Sequence, residues 1–229
     1  MSALDDSDLR VTGQTVSLRD LVTEKLRLAI ITGRFQPGQQ LKERELCELT
    51  GVSRPSLREA LRLLEAEGLV TSVLNRGQLV VKLTPEQVGQ IYQMRQLLET
   101  FAAKEFARRR VPEELRALDQ GIALLDDLRD NADRFAMLQA GRKIYSAIAN
   151  GGGNAFVAET LGLLHNRIAL IRFIALQDHD KFLTHCDELR ALSKAIHDGD
   201  ADLAKKLCKA HLAGIATTAE HIVANDYKL

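Results

Sequence analysis

The stretch Glu-Arg-Glu-Leu-Cys-Glu-Leu-Thr-Gly-Val-Ser-Arg-Pro-Ser-Leu-Arg-Glu-Ala-Leu, residues 43 to 61, contains one short helix, a turn and the start of a second helix. Leu46 and Leu49 fall on one face of the first helix, which Gly51 stops. Ser53 suits the N-cap of the second, and Pro55 sits in its first turn, where a missing N–H costs nothing. Val52 can staple onto Leu57. Leu57, Ala60, Leu61 and Leu64 form a core stripe, with Arg54, Arg58 and Arg62 recurring every four residues on a neighbouring face. Two short helices joined by a tight, glycine-containing turn predict a helix-turn-helix.

Working outward, Leu18, Leu21, Val22, Lys25, Leu26 and Ala29 repeat at three and four residues and predict a preceding amphipathic helix that Gly33 ends. Downstream, Gly68 stops the second helix, and residues 69 to 74 and 78 to 83 flank Asn75-Arg76-Gly77, the pattern of a hairpin or wing. Thr84-Pro85-Glu86-Gln87 then makes a capping box. Only helical periodicity follows, with six helices expected over roughly 85–109, 113–130, 133–149, 155–176, 180–198 and 201–225. The expected fold is mainly α: a flexible arm at 1–17, a winged helix-turn-helix at 18–83, and an all-α bundle of about six helices at 84–229.

The 31 basic and 31 acidic residues cancel over 229 positions, with 12 against 11 in residues 1–83. Neutralising phosphates supplies most of a protein's affinity for DNA, so binding here must come from a few placed arginines and more than one subunit. Apolar runs reach four residues, as at 28–31 and 168–171, far short of a membrane span. The polar, acidic opening MSALDDSDLR is no secretory signal, and Cys47, Cys186 and Cys208 form no CxxC pair. A cytoplasmic chain with reduced thiols and no membrane partner is expected. A nucleophile elbow, phosphate loop, paired-carboxylate motif or metal triad would mark an enzyme, and none is legible.

Ser53, Arg54, Ser56 and Arg58 occupy the end of the second helix that enters the major groove in helix-turn-helix proteins. Arginine there can take guanine O6 and N7, while serine hydroxyls and first-turn N–H groups hold phosphate. Arg44 and Arg76 extend that surface, whereas Arg62 is expected to pair with a neighbouring glutamate. In the bundle, Arg95 lies inside the stripe Val88, Ile91, Tyr92, Leu98, Ala102 and Phe106, where a guanidinium needs an anion. Glu99, one turn along, or an acidic ligand could supply it. Leu161, His165, Ile168 and Arg172 share a face further on, and His211 lies on a stripe with Leu203, Leu207, Ala210, Gly214 and Thr218.

Residues 33–41, 43–61 and 64–70 resemble the winged helix of the GntR transcription regulators. Met94 to Glu99, Gly152-Gly153-Asn154, residues 195–200 and residues 204–212 resemble the effector-binding (FCD) domain of the FadR-type subgroup. The resemblance implies a homodimer, probing a palindromic double-stranded operator with Arg44, Ser53, Arg54, Ser56, Arg58, Arg76 and Gly77, and a ligand-responsive repressor. It also implies an effector cavity, for which Arg95, Tyr145, His165, Arg172 and His211 are the candidates and a small, acidic molecule such as a carboxylate the expected ligand. Many members hold a divalent metal there through an aspartate and three histidines. Here Gly141, Tyr145 and Leu189 fall in three of those slots and only His211 is kept, so no metal cofactor is expected unless His185, one turn before Leu189, or His165 substitutes. A DNA-binding dimer whose bundle is purely structural stays open as the second reading.

Overall fold

The computed structural model describes residues 18–130 and 133–228, so the arm expected at 1–17 lies outside the described residues. The first three helices are α1 (Leu18–Ile31), α2 (Glu43–Thr50) and α3 (Arg54–Ala66), followed by strands β1 (Val70–Val73) and β2 (Gly77–Val80). Ser53 caps α3, its side chain accepting from the Ser56 N–H, and Leu57, Ala60, Leu61 and Leu64 are completely buried. The strands pair antiparallel from Val70↔Val80 to Val73↔Gly77, shorter than the expected runs. The wing tip needs positive φ at both Asn75 and Gly77, which their residue types tolerate. Residues before α2 brace the wing: Leu41 N–H donates to Gln78 O at 2.8 Å and Gly38 N–H to Val80 O at 2.9 Å.

Two expected faces are corrected. Helix α1 buries Val22, Thr23, Leu26, Ile30 and Ile31, while Leu18, Leu21 and Lys25 are exposed. On α2 only Leu46 is buried, and Leu49 is exposed. Both helices carry apolar residues on more than one side, so packing chose the face.

The rest of the described chain is α4 (Pro85–Arg109), α5 (Pro112–Asp127), α6 (Arg134–Gly151), α7 (Ala155–Arg167), α8 (Ala169–Ala175), α9 (His179–His197) and α10 (Ala201–Ala224). The capping box at Thr84 and Gln87 forms as expected. The helix expected over 155–176 is instead two, broken at Ile168 with φ −103° and ψ 8°, so the described residues of the bundle form seven helices, against about six expected. No glycine or proline stands at the break. Ile168 is fully buried beside Val88, Ile91 and Tyr92, and the chain bends to seat it.

Helix α8 joins the two halves. Ala169 and Phe173 sit in the core of the winged helix with Val22, Leu26 and Leu64, together with Leu138 of α6. Arg167, just before the break, lies over Gly68 at the end of α3: a Cβ there would come within 2.8 Å of its Nε. The chain's last turn holds the junction from the other side. The Leu83 N–H donates to the Tyr227 hydroxyl at 2.7 Å, and Lys82 pairs with Asp226 at 2.9 Å.

Candidate functional site

On the winged-helix surface, Arg54 and Arg76 are exposed and make no ion pair among the described residues. Ser53 Oγ and Ser56 Oγ lie 3.0 Å apart at the start of α3, where the Ser56 N–H already donates to Ser53 Oγ and Pro55 has no N–H. Arg58 reaches back to Glu43 on α2, its Nε donating at 2.9 and 3.1 Å. That hydrogen bond holds the Glu43 carboxyl below its usual range. Arg44 pairs with Glu48 at 3.0 Å and Arg62 with Glu59 at 2.6 Å. Exposed pairs of this kind are worth about 0–1 kcal/mol, so a phosphate can displace either glutamate. At the wing tip the Arg76 carbonyl accepts from Gln40 Nε2 at 2.6 Å, and Gly77 takes φ +70°. These contacts fix the wing backbone while leaving the Arg76 side chain free to reach outward.

Inside the bundle a cavity opens among α4, α5, α6, α8, α9 and α10. Tyr92, Gly141, Tyr145, Arg172, His185 and Thr218 supply its polar or open positions. Leu125, Met137, Ile171, Phe182 and Ile215 supply apolar wall. Tyr145 is the centre of the polar part. Its hydroxyl is 2.7 Å from His211 Nε2, its ring meets His165 edge-on at 5.0 Å, and the Arg172 guanidinium lies 4.9 Å from the ring centroid. The break at Ile168 therefore does not separate His165 from Arg172, which meet again around Tyr145.

Arg95 sits behind this wall, 4.7 Å from the Tyr92 ring and 5.4 Å from the Tyr145 ring. It is fully buried, and its Nε donates to Glu99 Oε1 at 2.6 Å. Its two terminal nitrogens, Nη1 and Nη2, are buried without an acceptor. Glu99 thus answers only one side of the guanidinium, and both anion sources left open by the sequence remain relevant. Burial opposes the Glu99 charge, but Arg95 and a 3.0 Å contact from His165 Nε2 outweigh it and hold the carboxyl at about 2. Burial and then Arg95 push His165 down to about 4, against the pull of Glu99. Burial, His211 and both arginines hold His185 well below its usual value.

His211 is committed on both nitrogens. Nδ1 lies 2.6 Å from Glu188 Oε2, and when Nδ1–H donates there, Nε2 accepts the Tyr145 hydroxyl. The face of α10 drawn for it needs correction: Leu203, Ala210 and Gly214 are exposed, and His211 is buried with Ala204, Cys208, Leu212 and Ala219. Glu188 went unnoticed in the sequence, although it stands three residues after His185 and so on the same side of its helix. Tyr92 lay in the quoted stripe of α4 without being singled out.

The donor set does not suit a divalent metal. Gly141 offers no ligand atom, and a Cβ there would lie 3.0 Å from Arg172 Nη2. Leu189 is a buried hydrocarbon, Tyr145 is hydrogen-bonded to His211, and that bond uses the His211 nitrogen a metal would need. Among the described residues no three His, Cys, Asp or Glu side chains are grouped to hold an ion.

Residues 18–80 match the bacterial regulatory proteins of the gntR family, and residues 90–214 match the FCD domain. The HTH-type transcriptional repressor NanR of Klebsiella aerogenes is 27% identical over 224 residues, covering 88% of this chain and 85% of that protein. A probable D-xylose utilization operon transcriptional repressor of Paenarthrobacter nicotinovorans is 25% identical over 223 residues, or 95% of each chain. The crystal structure of a putative GntR transcriptional regulator from Rhodococcus superposes with a TM-score of 0.73 at 27% identity, covering 88% of this chain and 96% of that one.

Proposed function

The chain belongs to the GntR family of bacterial transcription regulators, with an FCD domain after its winged helix, and on that premise we propose that it is an acid-responsive repressor acting as a homodimer on a palindromic operator. The family consists of transcription regulators, not enzymes. Among the described residues no helix is long and apolar enough to cross a membrane. The repressor titles of the NanR and D-xylose utilization relatives support the direction of control.

In this reading Arg54 and Arg58 read base edges from the start of α3. Ser53 and Ser56 hold phosphate through their hydroxyls, with Arg44, Arg76 and the Gly77 turn adding backbone contacts. Two copies double a set of arginines too small to bind alone. The effector occupies the cavity around Tyr145, near Arg95, His165, Arg172 and His211.

The observation that carries the ligand half is helix α8. Arg172 projects from it into the cavity with no ion pair among the described residues, while Ala169 and Phe173 on the same seven-residue helix lie in the winged-helix core. An anion that draws Arg172 inward also moves the seat of α1 and α3. A preference of about 1.4 kcal/mol for one seating changes operator occupancy tenfold.

The test is to select bound duplexes from a random DNA pool, then titrate the best one by fluorescence anisotropy across a panel of organic acids. A two-fold symmetric site, a protein dimer on it, and an affinity moved by at least one acid are expected. A monomer on an asymmetric site, or an affinity indifferent to every acid, would refute the corresponding half.

A further inference from the structure

We propose that Arg172 is a built-in cation standing where a metal-dependent cavity would hold its ion, and that the cavity binds a small organic monoanion, a carboxylate on an apolar body, without any metal. This rests on the acid-responsive reading above and adds the class of ligand and the means of holding it.

The space itself argues for it. Gly141 on α6 has no side chain, and the volume a side chain would enter is filled by the Arg172 guanidinium, 3.0 Å from the position of a Cβ. The guanidinium is steadied 4.9 Å from the Tyr145 ring, leaving its fork for a ligand. No carboxylate among the described residues lies within ion-pair distance of it.

Charge gives the ligand's valence. Arg95 and Arg172 bring two positive charges to this part of the bundle and Glu99 one negative charge. Glu188 faces His211 from α9 and is itself 40% exposed, and Lys181 at the mouth is matched by Asp178 at 3.0 Å. His165 and His185 are held neutral by burial. Arg172 is thus a cation lining the cavity with no carboxylate at ion-pair distance among the described residues, and the orphaned Nη1 and Nη2 of Arg95 add unused donors behind Tyr92 and Tyr145. A buried charge left unpaired is costly, and an anionic ligand relieves that cost. The hydrocarbon of Leu125, Met137, Ile171, Phe182 and Ile215 along the remaining wall fits an apolar body rather than a second charge.

The experiment uses the full chain, dialysed against EDTA, with acetate, butyrate, hexanoate and benzoate as probes and hexanamide as the uncharged control. Thermal shift and calorimetric titration are expected to show binding that strengthens from acetate to hexanoate, is absent for hexanamide, and does not change when zinc replaces the chelator. Arg172→Met should weaken hexanoate by about tenfold or more, the loss of a charge-assisted pair. Gly141→Asp should weaken it similarly, because the new carboxylate pairs with Arg172, and circular dichroism will show whether either variant has lost its fold. Binding that appears only with zinc, binding improved in Gly141→Asp, equal binding of hexanamide, or no binding of any acid would each overturn the proposal. Acids that bind without metal but leave operator affinity unchanged would sustain it and refute the acid-responsive function instead.

Discussion

Glu99→Leu isolates the charge arrangement at the heart of the bundle. Among the described residues Glu99 is the only carboxylate paired with the fully buried Arg95, through a single 2.6 Å bond, and it also receives His165 at 3.0 Å. Removing one member of a buried pair strands the other, at a cost of about 3–5 kcal/mol. Loss of the His165 partner adds about 1 kcal/mol or more. For a chain of this length the thermal midpoint should therefore fall by about 10 °C. The double variant Arg95→Met, Glu99→Leu removes both charges and both orphaned nitrogens, and should recover most of that loss. Urea unfolding followed by far-ultraviolet circular dichroism measures all three proteins. A single-variant loss under about 1 kcal/mol, or a double variant no more stable than the single, would mean that Arg95 is not the stranded charge described here.

Other outcomes follow from the same geometry. His165 is held at about 4, so its stabilising effect is complete above about 6.5 and is lost as pH falls toward 4; Glu99, held at about 2, extends the loss below 4.5. The slope from His165 alone is about 1.4 kcal/mol per pH unit in that upper window, and His165→Gln should flatten it in pH-resolved unfolding; an unchanged slope would assign the titration elsewhere. Arg54→Ala should cost about 1–3 kcal/mol on the selected operator and little on random duplex, and an equal loss on both would exclude base reading. Arg76→Ala should lower affinity on every duplex and flatten the dependence on salt; a salt slope equal to wild type would take the wing off the phosphates.

Helix α3 was legible because everything that makes it is local: the Ser53 cap, Pro55 in the first turn, and leucines at the spacing of one helical face. The same holds for the capping box at Thr84 and for the Arg95–Glu99 pair, one turn apart on α4. The break at Ile168 was not, because no glycine or proline marks it and Ile168 is buried against α4 residues that lie far away in sequence. Nor could the buried face of α1 be chosen among Leu18, Leu21, Ile30 and Ile31 without knowing where α8 lies. Of the residues the sequence named, Arg95, Tyr145, His165, Arg172 and His211, the structure puts Tyr145 and Arg172 in the cavity lining and the other three behind it, against Tyr145. The sequence did not reveal that Glu188 would take the far side of His211, a contact across two helices, or that Arg172 would fill the space beside Gly141. Those are facts of packing, and they decide the charge balance.

In the proposed mechanism an organic anion seated on Arg172 sets the affinity for DNA. The most direct measurement is the anisotropy titration of the selected operator in EDTA, with and without saturating carboxylate, for wild type and Arg172→Met side by side. The account predicts that wild-type affinity shifts about tenfold or more while that of Arg172→Met stays fixed. An equal shift in both proteins would contradict it, as would a wild-type response that appears only when zinc is restored.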